Sequence, residues 1–429
     1  MTNKCNSGRE WPQANTLIRA GALATAILLP ASAMAAENYS IAIDTNGIQT
    51  SNSTNSLNEF IDLGLSSNGF SSLNPGYTNT SIATVNLTLR GLPMTVTYPT
   101  PGPALVYTVP ALGFTRTFDA QGTREGNEED LVEFLKTNQD GLLGQFLNYF
   151  VSETGTDPVA GNPDSLQSSM VAADFAMGTG LGADNSSQAG GDAGDGEGRR
   201  NVYGLAARLG RFTVDGNDIT TFDLPFSIVR PLEDPRYALI FDLPLTYVDT
   251  NGSETFAASL GLGMRIPITT RWTLTPMLRA GATGSIDLGS LASLYSGSLS
   301  SSYKFDVGST EVNIGNLLSY ISTTGGTNSV EDFEINYDLQ NTITRNGVGL
   351  SGPLAYKLFG ADTTWQGSLV NTQIFGDDVY INNYTDIAVS IGTEQSRNGL
   401  TWDAIRIGFT YTVGNNGFQG GRVNFGYQF

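Results

Sequence analysis

The C-terminal half of the chain alternates apolar and polar residues with a period of two. The stretch RYALIFDLPLTYV, residues 236–248, follows this pattern, with Pro244 as a departure from an ideal strand, and FAASLGLGMRI and WDAIRIGFTYTV follow it later in the chain. Each segment has about 10 residues, the length of a strand that crosses a membrane at a tilt. The apolar side of the first segment consists of Tyr237, Leu239, Phe241, Leu243, Leu245 and Tyr247.

A soluble β-sandwich shows the same alternation, with its apolar face turned towards a core. Two features favour a membrane barrel instead. Aromatic residues such as Tyr247, Phe256 and Trp272 stand near the ends of the predicted strands, where interfacial girdles lie in barrels. The opposite faces are rich in Gly, Ser and Thr with occasional Arg, as expected of a polar lumen.

The pattern predicts an antiparallel transmembrane β-barrel of about 12 strands, an even number typical of single-chain bacterial barrels. The stretch 363–374 is the main uncertainty in this count. Short connections such as IPITTR and long ones such as SYISTTGGTNSVED predict turns at one end and loops at the other. The candidate strands span residues 201–212, 218–228, 237–248, 255–266, 271–282, 296–306, 309–320, 332–344, 347–358, 378–392, 401–413 and 421–429.

The first 35 residues have the layout of a secretory signal peptide. A basic start that includes Lys4 and Arg9 precedes the apolar run AGALATAILLPASA, and Ala33-Met34-Ala35 matches a small-x-small cleavage site. The run is shorter than the ~20 residues that a spanning helix needs, and Pro30 interrupts it. We therefore expect residues 1–35 to be removed on export.

The patterns of strand and helix in residues 36–177 predict a smaller N-terminal α+β domain. YSIAID and ALVYTVPALGFTRTFDA read as strands, and NEEDLVEFLKTN predicts a helix with Asn127 as its N-cap. Asp140 is the expected cap of a second helix, and DSLQSSMVAADFAM predicts a weaker third. We interpret these helices as the core of the domain in preference to a membrane-surface role.

Residues 178–200 are rich in Gly and Asp and poor in large apolar residues, which is the composition of a linker. The run GDAGDGEG lacks the spacing and the distal glutamate of a calcium-binding EF-hand, so no metal site is predicted. Fully extended, the linker spans ~70 Å, more than twice the ~30 Å hydrocarbon core. Its length therefore allows the domain to remain in the periplasm, to plug the barrel or to reach the cell surface.

Composition removes several function classes. The chain has no histidine, so Ser-His-Asp, Cys-His and His-metal chemistry are all excluded. Its single cysteine, Cys5, lies in the predicted signal peptide. The formal net charge of −19 argues against binding nucleic acid through phosphate neutralisation. No residue spacing indicates catalysis, so we expect neither enzymatic activity nor a cofactor.

The chain ends in RVNFGYQF, which resembles the C-terminal β-signal of Gram-negative outer-membrane proteins. Residues Val423, Phe425, Tyr427 and Phe429 match its alternating apolar positions and its terminal aromatic. The resemblance implies an outer-membrane location, recognition by the outer-membrane assembly machinery, and contact with membrane lipid and lipopolysaccharide. An N-terminal region, a linker and a C-terminal barrel are also similar to the architecture of autotransporters, although the sequence gives no clear sign of a helix inside the pore.

Five arginines fall on the predicted lumen face: Arg208, Arg265, Arg279, Arg406 and Arg422. They can pair with inward acids such as Asp242 or Asp386 and so stabilise the wall. Alternatively, they can make the lumen electropositive, so that it attracts anions or docks an acidic segment of this same chain. The candidate docking acids of the linker are Asp184, Asp192, Asp195 and Glu197.

These observations favour a pore or transport-related barrel in which the N-terminal domain is a plug or a periplasmic module. The alternative is an autotransporter-like protein that displays the domain at the cell surface for adhesion or binding. The sequence does not identify a solute or a surface ligand.

Overall fold

The computed structural model describes residues 37–64, 69–182, 201–324, 328–330, 333–358, 361–393 and 405–428. Residues 36–429 form one compact unit. The predicted signal peptide lies outside the described residues, and so do residues 183–200 of the predicted linker 178–200. A helix continues to Thr179, so the start of the linker was predicted too early. Within the described ranges, no helix is long and apolar enough to cross a membrane.

The N-terminal part contains a six-stranded sheet in the order β2-β1-β3-β4-β5-β6, with antiparallel pairing throughout. Along β1 the side chains of Tyr39, Ile41 and Ile43 are buried and the intervening ones are more exposed, so one face of the sheet lies in the core. The strands are β1 (Tyr39–Thr45), β2 (Ile48–Thr54), β3 (Ala83–Leu89), β4 (Leu92–Tyr98), β5 (Leu105–Val109) and β6 (Phe114–Phe118).

Four helices belong to this region: α1 (Leu57–Gly64), α2 (Gly69–Leu73), α3 (Arg124–Lys136) and α4 (Leu142–Glu153). The expected cap of α3 was wrong. Thr123 is the N-cap, and its hydroxyl accepts a hydrogen bond from the amide of Gly126. Asn127 lies in the first turn, where its buried side chain donates to the carbonyl of Pro103.

The expected cap of α4 was also wrong. Gly141 precedes the helix in a left-handed conformation, and Asp140 has a positive φ of 61°. The carboxylate of Asp140 instead forms an exposed ion pair with Arg116 on β6. The amide of Leu143 donates a hydrogen bond at 2.8 Å to the side-chain oxygen of Asn138, two residues earlier than the expected cap.

The C-terminal part is a closed antiparallel barrel of twelve strands, in which each strand pairs with its neighbours along the chain and β20 pairs with β7. The short hairpin of β14 (Asn328–Val330) and β15 (Phe333–Ile335) lies outside this sheet. The barrel strands are β7 (Val202–Val214), β8 (Asn217–Pro231), β9 (Ala238–Thr250), β10 (Ser253–Pro267), β11 (Trp272–Ser285), β12 (Ser290–Val307), β13 (Thr310–Thr323), β16 (Gln340–Leu358), β17 (Ala361–Gly376), β18 (Asn383–Thr393), β19 (Ile405–Gly414) and β20 (Gln419–Gln428).

The predicted count of strands is confirmed, but two assignments differ. The two strands expected at 332–344 and 347–358 are one strand, β16, and the uncertain stretch 363–374 is β17. Asn346-Gly347 has the composition of a turn, yet it continues the ladder. A Cβ at Gly347 would lie 2.7 Å from Val370 Cγ2, and one at Gly349 would overlap Leu181. These glycines therefore permit close packing rather than a turn.

The N-terminal domain sits on one end of the barrel, which we call the domain end. The connections β7–β8, β9–β10, β11–β12, β13–β16, β17–β18 and β19–β20 lie there, while β7 begins and β20 ends at the opposite end. Some connections at the domain end are two-residue turns, such as Asp215-Gly216. The long connection 324–339, which contains the β14–β15 hairpin, lies at the same end. The expected division into short turns at one end and long loops at the other is therefore not seen in the described connections.

The outer surface of the barrel is apolar. Leu278 is 71 % exposed and Phe256 is 62 % exposed, and both point away from the lumen. Tyr247 and Phe256 are in ring contact at 5.2 Å on the side nearer the domain end, and Tyr303 and Phe305 at 5.9 Å on the other. Large apolar side chains exposed around a closed barrel are those of a lipid-facing surface.

A fifth helix, α5 (Leu166–Thr179), lies inside the barrel against the inner faces of β9 to β13. Its first turn is at the domain end, where Gln167 accepts a hydrogen bond from Asn341 at the start of β16. Its last turn is near the opposite end, where the carbonyl of Thr179 accepts one from Asn313 at the start of β13. The segment expected to complete the core of the N-terminal domain is therefore a lumen helix.

Two helical glycines allow a matched test of this packing. A Cβ at Gly178 of α5 would overlap the Cβ of Ser300 on the barrel wall, whereas a Cβ at Gly144 of α4 would meet nothing within 4 Å. We expect Gly178→Ala to destabilise the refolded protein by about 1–3 kcal/mol through overpacking. Gly144→Ala should stabilise it by about 0.5–1 kcal/mol. Urea unfolding in detergent micelles measures both, and equal shifts would contradict the close approach of α5 to β12.

Candidate functional site: the barrel lumen and its helix

The lumen is lined by small polar side chains that α5 buries. Ser298, Ser300 and Ser302 follow one another on the inner face of β12, and all three are almost fully buried. Because alternate residues of a barrel strand point inward, the period-two pattern of the sequence sets this lining. The lumen therefore offers hydrogen-bonding groups along the length of α5.

Arg279 on β11 lies at the centre of the contact between α5 and the wall. Its Nε is 2.7 Å from Asp174 Oδ1 on the helix, and its Nη2 is 2.6 Å from Asp242 Oδ2 on β9. Its Nη1 donates to the hydroxyl of Ser259 at 3.0 Å. The second oxygen of Asp174 accepts a hydrogen bond from Ser298 at 2.7 Å. The buried charges thus face one another at hydrogen-bonding distance, which offsets the cost of removing them from water.

The last turn of α5 is held by polar side chains of the wall. Asn313 Nδ2 lies 2.7 Å from the carbonyl of Thr179, and Gln366 Nε2 lies 3.3 Å from that of Gly180. The last carbonyls of a helix have no partner within the helix itself. The side chains of β13 and β17 provide partners here, and they fix the depth of the helix in the barrel.

Arg422 on β20 anchors the segment that precedes α5. Its Nη2 is 2.7 Å from Asp164 Oδ1, and its Nη1 is 3.7 Å from Asp223 on β8. Arg279 and Arg422 therefore both bind acids of the N-terminal part of the chain. Docking of an acidic segment was one of the two alternatives for these arginines, but the acids involved are Asp164 and Asp174. The proposed linker acids lie outside the described residues.

The other three predicted lumen arginines are Arg208, Arg265 and Arg406. Arg406 donates to Ser390 at 3.1 Å and to Thr364 at 2.8 Å, within the sheet of β17, β18 and β19. Arg208 lies opposite Asp223 in the ladder and faces a small cavity beside α5. Arg265 lies opposite Ala238, near the end at which β7 begins.

Sequence reasoning missed Arg345, since it fell between two predicted strands. This buried arginine of β16 forms an ion pair with Asp386 on β18, and its Nη1 donates to Thr372 at 3.0 Å. Its guanidinium also lies 5.3 Å from the ring centre of Phe175 on α5. An unbroken period-two count from Asn341 to Gly349 would have placed it on the inward face.

A second polar cluster joins the N-terminal domain to the domain end of the barrel. Arg90, in the turn between β3 and β4, forms a buried 2.8 Å ion pair with Asp157. The hydroxyl of Tyr337 lies 2.9 Å from both Asp157 Oδ2 and Ser290 Oγ on β12. Burial raises the pKa of Tyr337, so its hydroxyl remains protonated and can donate to the carboxylate. We call these four residues the Asp157 cluster.

The domain is also joined to the barrel by backbone hydrogen bonds. The amide of Leu57 on α1 donates to the carbonyl of Asp287 at 3.0 Å. The amides of Tyr380 and Ile381, between β17 and β18, donate to the carbonyls of Val151 and Gly161. These contacts involve both early and late parts of the N-terminal region. Domain and barrel therefore share one buried interface.

The arrangement retains a segment of the chain inside the barrel. Ion pairs and polar contacts along α5 fix it between the two ends of the lumen, and the domain covers one end. Among the described residues, no group of three or more acidic side chains is placed to hold a metal ion. The closed, even-numbered antiparallel wall with an apolar exterior is that of a Gram-negative outer-membrane β-barrel.

The strand that carries the resemblance to a β-signal closes this wall. β20 pairs with β19 and with β7, and the side chains of Val423 and Phe425 are exposed on the outer surface. Asn424 and Gln428 are buried on the inner side. Tyr427 shares the outward register, and Phe429 lies outside the described residues.

No family model and no curated protein matches the chain. Among solved structures, the β domain of the Bordetella autotransporter BrkA is 15% identical over 53% of this chain and 98% of its own, with a TM-score of 0.41. The translocator domain of the autotransporter NalP from Neisseria meningitidis is 16% identical over 62% and 95%, with a TM-score of 0.38. The KdgM porin is 10% identical over 53% and 99%, with a TM-score of 0.32. These two classes of neighbour do not distinguish an autotransporter from a channel.

Replacing Arg279 tests the contact that centres the helix. Arg279→Met leaves the carboxylates of Asp174 and Asp242 buried without their counter-charge, so we expect a loss of about 3–5 kcal/mol in unfolding free energy. Lys304→Met is the matched control, because it breaks an exposed 3.1 Å pair with Glu311 and should cost less than about 1 kcal/mol. Adding Asp174→Asn and Asp242→Asn to Arg279→Met should restore part of the loss. If Arg279→Met lowered the free energy of unfolding no more than Lys304→Met does, the pairing of Arg279 with the two carboxylates would be contradicted.

Tyr337→Phe tests the Asp157 cluster. The change removes the hydroxyl that donates to a buried carboxylate, so we expect the docking of the domain to weaken by about 1–3 kcal/mol. Faster hydrogen–deuterium exchange of residues 154–165 measures this loss. Tyr356→Phe, at an exposed position of β16, should leave the exchange unchanged. Unaltered exchange in both variants would show that the hydroxyl does not hold the domain.

Proposed function

We propose that this protein is an autotransporter-like outer-membrane protein that holds its own N-terminal domain at the cell surface. The observation that carries the proposal is the course of α5. The helix begins beneath the N-terminal domain, runs the length of the lumen and ends near the barrel end at which β7 begins. This is the path of a chain whose N-terminal part lies on one side of the membrane while its barrel strands start from the other.

The orientation follows from how a barrel is inserted. The strands of a barrel that inserts from the periplasm need to move only their hairpin tips across if the first strand begins, and the last strand ends, at the periplasmic side. β7 begins and β20 ends at the same end, which supports a periplasmic position for that end. The domain end, with the long connection 324–339, then faces outward.

Retention of the domain is the second part of the proposal. The Asp157 cluster and the backbone bonds from Leu57 and to Val151 bury polar contacts between domain and barrel. Buried ion pairs are costly to separate, because each charge must then be left unpaired or be rehydrated. These contacts favour a domain that stays docked as a cap over one that is released.

An open solute pore is the weaker candidate. α5 and its ion pairs occupy the lumen, so a wide aqueous path would require the helix to leave and Arg279 to lose Asp174. Within the described part of the chain we identify no catalytic arrangement, and the absence of enzymatic activity remains a prediction. Lipid and lipopolysaccharide around the apolar belt, and the outer-membrane assembly machinery acting on β20, remain the expected partners.

Thiol labelling of intact cells tests the orientation. Single cysteines replace Glu129, which is exposed on α3, or Arg271, which is exposed at the opposite end of the barrel. The background carries Cys5→Ser, which removes the only native cysteine. A membrane-impermeant maleimide should label Glu129→Cys on intact cells and Arg271→Cys only after the outer membrane is permeabilised.

The reverse labelling pattern would place the domain in the periplasm and overturn the proposal. Labelling of Glu129→Cys in the culture supernatant instead of on cells would overturn retention while leaving surface exposure intact. The two parts of the proposal are therefore tested separately.

A further inference from the structure

A cavity of about 50 Å³ lies beside α5, between the helix and the wall formed by β7, β8 and β9. α5 packs against β9 to β13, so this side of the lumen is less completely filled. The helix turns small residues towards it, namely Ser169, Ala172, Ala173 and Ala176. A buried water needs ≳ 10–15 Å³ of such volume, so the cavity has room for about three or four.

The lining of the cavity is charged. Arg208, Asp223 and Arg422 face it from the wall, and Asp164 faces it from the segment before α5. Asp164 Oδ2 and Thr221 Oγ1 are buried, line the cavity, and have no hydrogen-bond partner among the described residues. Unpaired polar atoms at a polar cavity indicate that it binds water or small ions.

An apolar cluster bounds the cavity towards the end at which β7 begins. Met177 of α5 lines the cavity and packs against Val229, Ala238, Ile240 and Met277, which point inward from β8, β9 and β11. We call these five residues the Met177 cluster. Apolar constrictions in a channel exclude water and thereby block ions.

We propose that the cavity is the central chamber of a gated ion pathway beside α5, with the Met177 cluster as its hydrophobic gate. The ligands are small hydrated ions. Because carboxylates and guanidinium groups line the chamber together, we expect weak preference between small cations and anions. The pathway needs α5 in place, and it does not depend on which end of the barrel faces outward.

Planar-bilayer recordings of the full chain in KCl test the gate. Met177→Ser introduces a polar side chain at the constriction, and we expect a several-fold rise in conductance over the wild type. Ile240→Thr is a second variant at the same constriction and should act in the same direction. Leu317→Ser is the matched control, since Leu317 is an equally buried inward residue of β13 that belongs to the main core and does not line the cavity.

A thiol in the chamber gives an independent readout. Ala176→Cys, in the Cys5→Ser background, should react with a small cationic methanethiosulfonate reagent faster when Met177→Ser is also present. Heat-modifiable migration on gels checks that each variant is folded.

Equal conductance in the wild type and both gate variants, with no change in the rate of thiol modification, would overturn the proposal. So would an equal rise in Leu317→Ser, which would indicate general loosening of the helix. A rise confined to Met177→Ser and Ile240→Thr supports it.

Discussion

The structure depends on burying charge inside a closed barrel. Arg279 is surrounded by a low-dielectric wall, and it is stable there because Asp174 of α5 and Asp242 of β9 lie within 2.7 Å of its nitrogens. One of these acids belongs to the wall and the other to the helix. The buried charge of Arg279 therefore has both of its carboxylate partners only when α5 is inside the lumen. This one set of contacts joins α5 to the wall of the barrel.

The same constraint explains why the barrel could be predicted, whereas the helix over residues 166–179 was predicted only weakly and as part of the domain core instead of the lumen. Apolar residues at every second position face lipid, so β9, β10, β11 and β19 appear in the sequence as segments of period two. A helix enclosed on all sides has no solvent face. α5 instead mixes Ser168, Asp174 and Phe175, each matched to a different part of the wall. Without the barrel around it, such a segment shows only weak periodicity.

The glycines show the same limit in another form. The break expected between residues 344 and 347 lies next to Asn346-Gly347, whose composition is that of a turn. In the barrel they lie within β16, where Gly349 makes room for Leu181 just beyond α5. A close approach between segments far apart in sequence leaves no local sign. The prediction of Arg279 and Arg422 as inward residues needed only the strand period, whereas their partners Asp174 and Asp164 required the course of the helix.

At the domain end, buried polar contacts also connect the N-terminal domain to the barrel. Asp157 lies just before the segment that enters the lumen, and it binds Arg90 of the domain and Tyr337 of the barrel at once. Any movement of α5 along the lumen would pull on Asp157, and any lifting of the domain would pull on α5. The cap and the lumen helix are therefore coupled mechanically through one buried carboxylate. The barrel therefore holds the N-terminal domain and α5 together. Release of either one requires separation of the Arg90–Asp157 pair and of the pairs that Arg279 and Arg422 form with Asp174 and Asp164.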